Sequence, residues 1–380
     1  MKISNVFRNI GLAGYGVLIL TYTVLYYTQF SKTINLVNIG NIGKIVALLM
    51  LFLGFFSQKY SFKELLLFLG AIVFSAFVSY QNKTNDLVIT VITIILLKNI
   101  EFKKIVEIDF FVRLISTLCI VFLSLLNYIP SLDIYRAAGV VRHSFGFYHP
   151  NLFGAYIMIL TFEFIYLGYT KNKSKVRIWA ILPIVLFVEK TTNDRSVVVS
   201  LLAFFVLYML LRYTSLKRLS SKTFKFLLAV ILFFVSTISI LSTYLYNPTI
   251  NLWIIINKLL SGRPELINSI VKQFYPVHLM GQPTPLVGDT NGIMMNGTIK
   301  YLFADNTYMA ILVKFGIVTF ALFILWVINN SFLMLSGENR IIMFCWLVAM
   351  LLWGLSESKI VIIQFNILLL SYVELNKKKE

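Results

Sequence analysis

Charge is the first thing this sequence lacks. Asp, Glu, Lys and Arg make up 13% of its 380 residues, and only 16 are acidic. A soluble globular chain carries about 25% charged residues. With 58% apolar residues and a mean hydropathy of +0.82, the shortage excludes a soluble enzyme of one or two domains. The surplus apolar surface needs lipid. It also excludes a disordered chain, which needs low hydrophobicity. Cysteine is almost absent, and Cys119 and Cys345 both lie inside apolar runs. Neither their number nor their spacing fits a disulfide framework or a thiolate metal site. Both read as small apolar residues. No A-x-A-like cleavage site follows the first apolar run, which therefore reads as a first span rather than a signal peptide. No repeat of fixed period and no soluble domain stands out, so residues 1–380 read as a single membrane domain.

What is present is a series of long apolar runs. A transmembrane helix takes about 20 apolar residues, with a range of about 17–25. Nine runs qualify clearly: 10–28, 38–56, 64–80, 108–129, 151–169, 196–211, 225–245, 306–329 and 341–355. Three shorter ones are 85–99, 177–189 and 360–374. The fold class predicted is an all-α polytopic integral membrane protein of about twelve helices. Aromatic residues reach 15%, with 33 Phe and 20 Tyr, which fits belts at the membrane–water interfaces. The formal net charge of +18 suggests nucleic acid in a soluble protein. Here the basic residues sit in short loops, no basic stripe continues along one face, and nucleic acid is excluded as a partner.

Charge placement sets the orientation. With twelve spans, 20 Lys and Arg fall on one side and 11 on the other, while Lys44, Arg113 and Lys314 lie within spans. The basic side is cytoplasmic, so both termini are predicted to be cytoplasmic. Dropping one short span reverses every later loop and destroys the bias, whereas dropping an adjacent pair leaves ten spans and keeps it. Arg113 and Lys314 are readable as structural ion pairs with Asp109 or Glu163. Two outer connections are longer than the rest: 130–150, and 246–304 with roughly 60 residues. Loops beyond about 12–15 residues are commonly functional.

Polar residues concentrate on this outer side in three clusters. The first holds Arg142, His143, His149, Pro150 and Asn151 before an apolar helix. Asn151 is expected at or near the N-cap, with Pro150 setting the approach. The second, Glu189 to Ser196, places four charges in a connection that needs none, including Asp194 and Arg195. A rim arginine is costly and calls for a partner, here Asp194 or Glu189. The third is the long loop. Ser261-Gly262-Arg263-Pro264-Glu265 opens a helical stretch over 264–275, predicted to lie in the membrane interface with its apolar face down. His278 and Gly281 follow, and a Gly/Pro/Asn-rich piece over 281–297 reads as irregular. The loop closes on Asp305, Asn306 and Tyr308, where Asp305 reads either as a helix N-cap or as a general base. Arginine gives forked, bidentate recognition of a diphosphate, and helix N-termini near Asn151, Ser196 and Asp305 add positive ends. Composition alone does not select this over a solute transporter.

In their order these pieces resemble the O-antigen polymerase and ligase superfamily, closest to the Wzy-type capsular or exopolysaccharide polymerases. The residues that carry the resemblance are Arg142…Gly146-Phe147…His149-Pro150-Asn151-Leu152-Phe153-Gly154 and Thr191…Asp194-Arg195-Ser196. Leu260-Ser261-Gly262-Arg263 with the later Gly281, and Asp305-Asn306-x-Tyr308…Phe315-Gly316-Ile317, complete the set. The resemblance covers about half the chain. It implies a GT-C-like glycosyltransferase that joins undecaprenyl-diphosphate-linked oligosaccharide repeat units at the outer face of the cytoplasmic membrane. The product is capsular polysaccharide, exopolysaccharide or O-antigen. It further implies Arg142, Arg195 and Arg263 as diphosphate ligands and Asp305 and His149 as catalytic groups. Asn151, Asp194, Asn306 and His278 are implied in support. No cofactor and no metal are implied, and the sequence has no DxD. A flippase and a chain-length regulator are implied as further partners beside the bilayer. Ligases of this superfamily place His where this chain has Asp305, which argues for a polymerase. The alternatives are a flippase or other transporter of lipid-linked oligosaccharide, an O-antigen-type ligase, and a non-catalytic assembly factor.

The charge bias makes a checkable prediction. A reporter active only outside the cytoplasm should be silent when fused after residue 376 and active when inserted near Gly288. Activity at the tail overturns the orientation.

Overall fold

The computed structural model describes residues 3–30, 37–98, 100–135, 139–170, 174–284, 293–295, 298–300, 303–337 and 339–371. Its first half holds α1 (Ile3–Thr21), α2 (Val37–Phe55), α3 (Phe62–Asn82), α4 (Asp86–Leu96) and α5 (Phe102–Leu125). A hairpin of β1 (Asp133–Tyr135) and β2 (Val141–His143) precedes α6 (Pro150–Tyr169), α7 (Ser174–Arg177), α8 (Ile181–Thr191), α9 (Arg195–Tyr213) and α10 (Ser221–Tyr244). The long loop contributes α11 (Asn251–Leu259), α12 (Arg263–Ser269) and a second hairpin, β3 (Ile293–Met295) with β4 (Thr298–Lys300). The chain ends in α13 (Thr307–Ala310), α14 (Gly316–Met334) and α15 (Arg340–Trp353). Single π turns extend α1 over Tyr22–Tyr26, extend α12 over Ile270–Phe274, and join α13 to α14 over Ile311–Phe315.

This is a polytopic all-α membrane fold. Eight helical segments among the described residues are long and apolar enough to cross a membrane. They begin at Ile3, Asn38, Phe62, Phe102, Pro150, Arg195, Ser221 and Thr307. Four of the twelve expected spans take other forms. Residues 85–99 give α4, 11 residues long. Residues 177–189 give a 3₁₀ turn over Ile178–Ala180 followed by α8, also 11 residues. Residues 341–355 give α15, 14 residues long and buried almost throughout. Residues 360–365 form turns rather than helix, and 367–371 a 3₁₀ stretch. Hydropathy reads apolar content, and a buried segment inside a bundle is as apolar as a span.

The two most enclosed helices are α6, whose span is 83% buried, and α15. They meet through stacked and tilted rings of Phe162, Tyr166 and Trp346, joined by Phe102 of α5 and Phe204 of α9. The other helices surround this centre and turn Leu, Ile and Phe side chains outward, as on the exposed faces of α2 and α3. Caps fix where helices start. At Ser61 a reciprocal pair of bonds with Glu64 opens α3, and Ser220 accepts from the Thr223 N–H at the start of α10.

Arg113 and Lys44 within the spans find partners. Arg113 donates through Nε to Asp109 Oδ1 at 2.8 Å and through a terminal nitrogen to the Gln364 carbonyl at 3.0 Å. Tyr15 donates to the other Asp109 oxygen at 2.5 Å. The Arg113 guanidinium lies 4.8 Å from the centre of the Tyr156 ring. Lys44 lies 4.2 Å from the centre of the Tyr26 ring. The expected Asp109–Arg113 pair is therefore present. Glu163 sits buried beside this group without a hydrogen bond.

In the long loop, the apolar face of α12 does not point into lipid as expected. Ile267, Ile270 and Val271 pack on Ala304, Met309, Leu312 and Val313. The exposed apolar face belongs instead to α11, at Leu252, Ile255 and Leu259. Of the piece expected to be irregular, residues 293–295 form a strand, while 285–292 and 296–297 lie outside the described residues.

Close helix packing depends on glycine at one crossing. A Cβ on Gly14 of α1 would stand 2.7 Å from the Met50 Cβ and 2.8 Å from the Leu51 nitrogen of α2. Small residues let membrane helices approach this closely. Gly14→Val should destabilise the protein by about 1–3 kcal/mol, the usual cost of overpacking. A thermal unfolding midpoint in detergent equal to wild type rules this contact out.

Candidate functional site

Five segments meet at one end of the bundle. The first is the turn after β2. The β1–β2 hairpin pairs Asp133 with His143, and Asp133 Oδ1 also lies 3.0 Å from His143 Nδ1. The turn then docks on the end of α1, because Gly146 O accepts from Gln29 N at 2.8 Å and Tyr148 N donates to Tyr27 O at 3.0 Å. The N-cap of α6 is His149, whose Nδ1 accepts the Asn151 N–H at 3.1 Å, with Pro150 in the first turn. The cap expected at Asn151 thus falls two residues earlier, since the imidazole nitrogen serves that role. Asn151 is left to bridge. Its Oδ1 accepts from Arg142, and its Nδ2 donates to Glu357 Oε1 at 2.9 Å. Arg142 is 4% exposed and gives its Nε to the Thr192 carbonyl at 2.6 Å. It braces two segments from behind and does not line the cavity described below.

The second segment carries Asp194 and Arg195. Asp194 caps α9, its Oδ1 accepting from Ser196 N at 3.1 Å, Val197 N at 3.3 Å and Ser196 Oγ at 2.6 Å. Its other oxygen is buried and has no hydrogen-bond partner among the described residues. Burial first, and then the nearby Glu357, push the Asp194 carboxyl above the ordinary aspartate range. Hydrogen bonds from Ser196 and Val197, and the Arg142 charge, oppose the rise. Arg195 does not take the partners expected for it. Asp194 is occupied by capping, and Glu189 Oε1 accepts from Asn193 Nδ2 at 3.2 Å. The Arg195 side chain is exposed.

The third segment is the corner between α11 and α12. Gly262 has φ +80, a left-handed conformation that glycine takes without a Cβ clash. The corner swings Arg263 toward the site, and Pro264 follows in the first turn of α12. Glu265 is not its partner. Asn257 Nδ2 donates to Glu265 Oε2 at 2.9 Å, and Asn257 Oδ1 accepts the Glu265 N–H at 3.1 Å. An Arg263 terminal nitrogen instead lies 3.7 Å from Glu357 Oε1 and 4.0 Å from Asp305 Oδ2. The Nε of Arg263 is buried with no hydrogen-bond partner among the described residues.

The fourth segment precedes α13. The helix cap falls on Asn306, whose Oδ1 accepts the Met309 N–H at 3.1 Å. Asp305 is therefore not the cap, and it faces Arg263 with 27% of its side chain exposed. Asn306 also donates to Ser239 Oγ at 3.0 Å and to the Leu355 carbonyl at 3.1 Å. His278 stands apart from this cluster. Its side chain is exposed, and its carbonyl accepts from Ile317 N at 3.0 Å.

The fifth segment holds Glu357, which the sequence reading missed. It is 2% exposed and joins Asn151, Arg263 and Lys359, the last at 3.4 Å from Oε2. Thr307 fixes its backbone by donating to the Glu357 carbonyl at 2.5 Å. The sequence did carry a signal: Ser356-Glu357-Ser358-Lys359 is a short connection with a lone acid between two apolar runs.

All but the fourth of these segments enclose a cavity of about 150 Å³, lined by Asn151, Asp194, Arg195, Ser196, Ser261 and Arg263 together with Leu and Val side chains. A larger groove of about 910 Å³ lies between α3, α4 and α14, is apolar, and holds no charged side chain. Of the two, the smaller space carries the charged side chains. Two guanidiniums beside the first turns of α6 and α9 suit an anion with several oxygens. The buried carboxylates suit hydroxyl donors. Among the described residues no group of three or more His, Cys, Asp or Glu side chains is arranged to hold a metal ion.

Compared with family models, with curated proteins and with solved structures, the chain matches none.

Glu357 generates a prediction. Removing one member of a buried ionic group leaves charge unpaired and costs about 3–5 kcal/mol. Glu357→Ala should fall near the low end of that range, because Arg263 and Lys359 keep 15% and 18% exposure. Glu357→Gln keeps the bond from Asn151 and should lose less. Equal unfolding midpoints for Glu357→Ala and wild type contradict the bridging role.

Proposed function

We propose that the chain is a membrane glycosyltransferase that polymerises oligosaccharide repeat units carried on a lipid diphosphate. In this reading it is a GT-C-like protein with about twelve crossings and cytoplasmic termini. The clustered end faces outward from the cytoplasmic membrane. The carrier is undecaprenyl diphosphate, and the product is a capsular, exopolysaccharide or O-antigen chain.

One observation carries the proposal: Arg195 and Arg263, from separate segments, line the same small polar cavity at the end of a membrane bundle. Neither is consumed by the partners nearest in sequence. Guanidinium is always charged and presents a planar fork, which matches phosphate oxygens better than an ammonium does. The two arginines hold the diphosphate while the anomeric carbon faces the buried carboxylates. Arg142 and Asn151 brace them, and Asp305 and Glu357 orient Arg263. His149 supports this arrangement from the cap of α6. The position of the cluster at a helix end suits a substrate whose lipid remains in the bilayer.

The test is direct. Purified protein given lipid-linked repeat units should convert them into a ladder on a gel. A transporter leaves them as single units. Arg263→Lys keeps a cation but loses the fork, removing one charge-assisted contact of roughly 1.5–3 kcal/mol. That corresponds to roughly a ten- to hundred-fold loss of rate. Wild-type ladder formation by Arg263→Lys takes Arg263 out of the diphosphate site.

A further inference from the structure

We propose that Asp194 is the group that takes the proton from the attacking hydroxyl of the acceptor sugar. This rests on the polymerase reading above and deepens it by assigning its general base.

The site offers three carboxylates, and their surroundings differ. Glu357 is tied up, with Oε1 shared between Asn151 and Arg263 and Oε2 beside Lys359. A carboxylate held by cations is a poor base. Asp305 faces Arg263 from outside the residues that line the cavity. Asp194 lines it. One of its oxygens caps α9, and that duty needs only one. The second oxygen is buried and makes no hydrogen bond among the described residues. A polar atom buried without a partner is costly, and under this proposal the acceptor hydroxyl, on entering the cavity that Asp194 lines, becomes that partner. Gly154 lets this oxygen approach α6, since a Cβ there would stand 3.2 Å from it.

The electrostatics agree with the geometry. The charged groups that face Asp194 are Glu357 from the segment after α15, Arg142 from β2, and its neighbours around the cavity, Arg195 and Arg263. Burial and Glu357 outweigh Arg142 and raise its proton affinity, which brings a carboxylate closer to the range useful for a base at neutral pH.

In the transfer step the acceptor oxygen forms a bond to the anomeric carbon of the donor. The anomeric carbon–oxygen bond to the diphosphate breaks. The lipid diphosphate departs with the electron pair and gains one negative charge beside Arg195 and Arg263. The acceptor proton passes to Asp194 and then to solvent.

The experiment uses the full-length protein in lipid or detergent with lipid-linked repeat units as substrate. Asp194→Asn and Asp194→Ser both retain N-cap ability, since Asn, Asp and Ser cap about equally well. Both should stay folded by thermal unfolding and lose roughly 10²–10⁴-fold in rate. Wild type should lose rate as pH falls through a value above the usual aspartate pKa of about 3.9, because the base must be unprotonated. Residual activity of Asp194→Asn should lack that acidic limb. Ladder formation at wild-type rate by either variant overturns the inference and leaves the polymerase reading intact. If both variants unfold, a wild-type profile with no acidic limb still overturns it. Absence of any ladder from wild type overturns the polymerase reading, and the inference with it.

Discussion

Inside a membrane bundle every backbone N–H and C=O has to find a partner within the protein, because lipid offers none. Among the described residues, the buried segment after α15 departs from helix, and the site beside it depends on how that departure is satisfied. Thr307 N donates to the Gly354 carbonyl at 2.8 Å. Asn306 covers the Leu355 carbonyl, and Thr307 Oγ1 covers that of Glu357. Farther along, Thr90 Oγ1 accepts the Ile363 N–H at 3.2 Å and Arg113 takes the Gln364 carbonyl. Asn366 closes the turn by donating to the Ile360 carbonyl at 2.8 Å. The Asp109–Arg113 pair thus serves the fold directly. A permanently charged donor, itself neutralised, caps a carbonyl that a helix would otherwise have satisfied.

From that segment the site is assembled in order. Because α15 stops at Trp353, Glu357 lands at the bundle end instead of one turn farther along a helix. It collects Asn151 from α6 and Arg263 from the long loop. Asn151 is available only because His149 has taken the cap. Arg263 reaches inward because Gly262 turns the chain and Asn257 holds Glu265 away. Each of these side chains is freed by a neighbour that takes the local capping or pairing role.

Much of this was legible in the sequence. The eight long apolar segments, the Gly262–Pro264 corner and the pairing of Arg113 with Asp109 follow from residue types and spacing. So does the gathering of residues 142–151, 194–196, 263 and 305–306, since these connections between apolar runs concentrate the charge. Two kinds of feature were not legible. Cap assignments slipped by one or two residues at Asn151 and Asp305, because His, Asn and Asp all cap and only backbone geometry chooses among them. The segment 360–371 looked like a span because burial in protein and burial in lipid select the same apolar residues. Glu357, in the short connection just before that segment, was not singled out.

The charge balance of the finished cluster bears on what enters it. Arg142, Arg195, Arg263 and Lys359 face Asp194, Asp305 and Glu357. The cations outnumber the carboxylates by one, and by two whenever Asp194 holds a proton. Two of the cations are spent inside the protein, Arg142 on Thr192 and Asn151 and Lys359 on Glu357. What remains at the cavity is Arg195 and Arg263 opposite Asp194. A multiply charged anion is favoured there by the arginines and by the first turns of α6 and α9. The same anion raises the proton affinity of Asp194 further, because like charge disfavours its ionised form. Anion binding and proton uptake are therefore coupled in this cavity, and under the proposed transfer the coupling would be strongest as the diphosphate leaves and gains its charge.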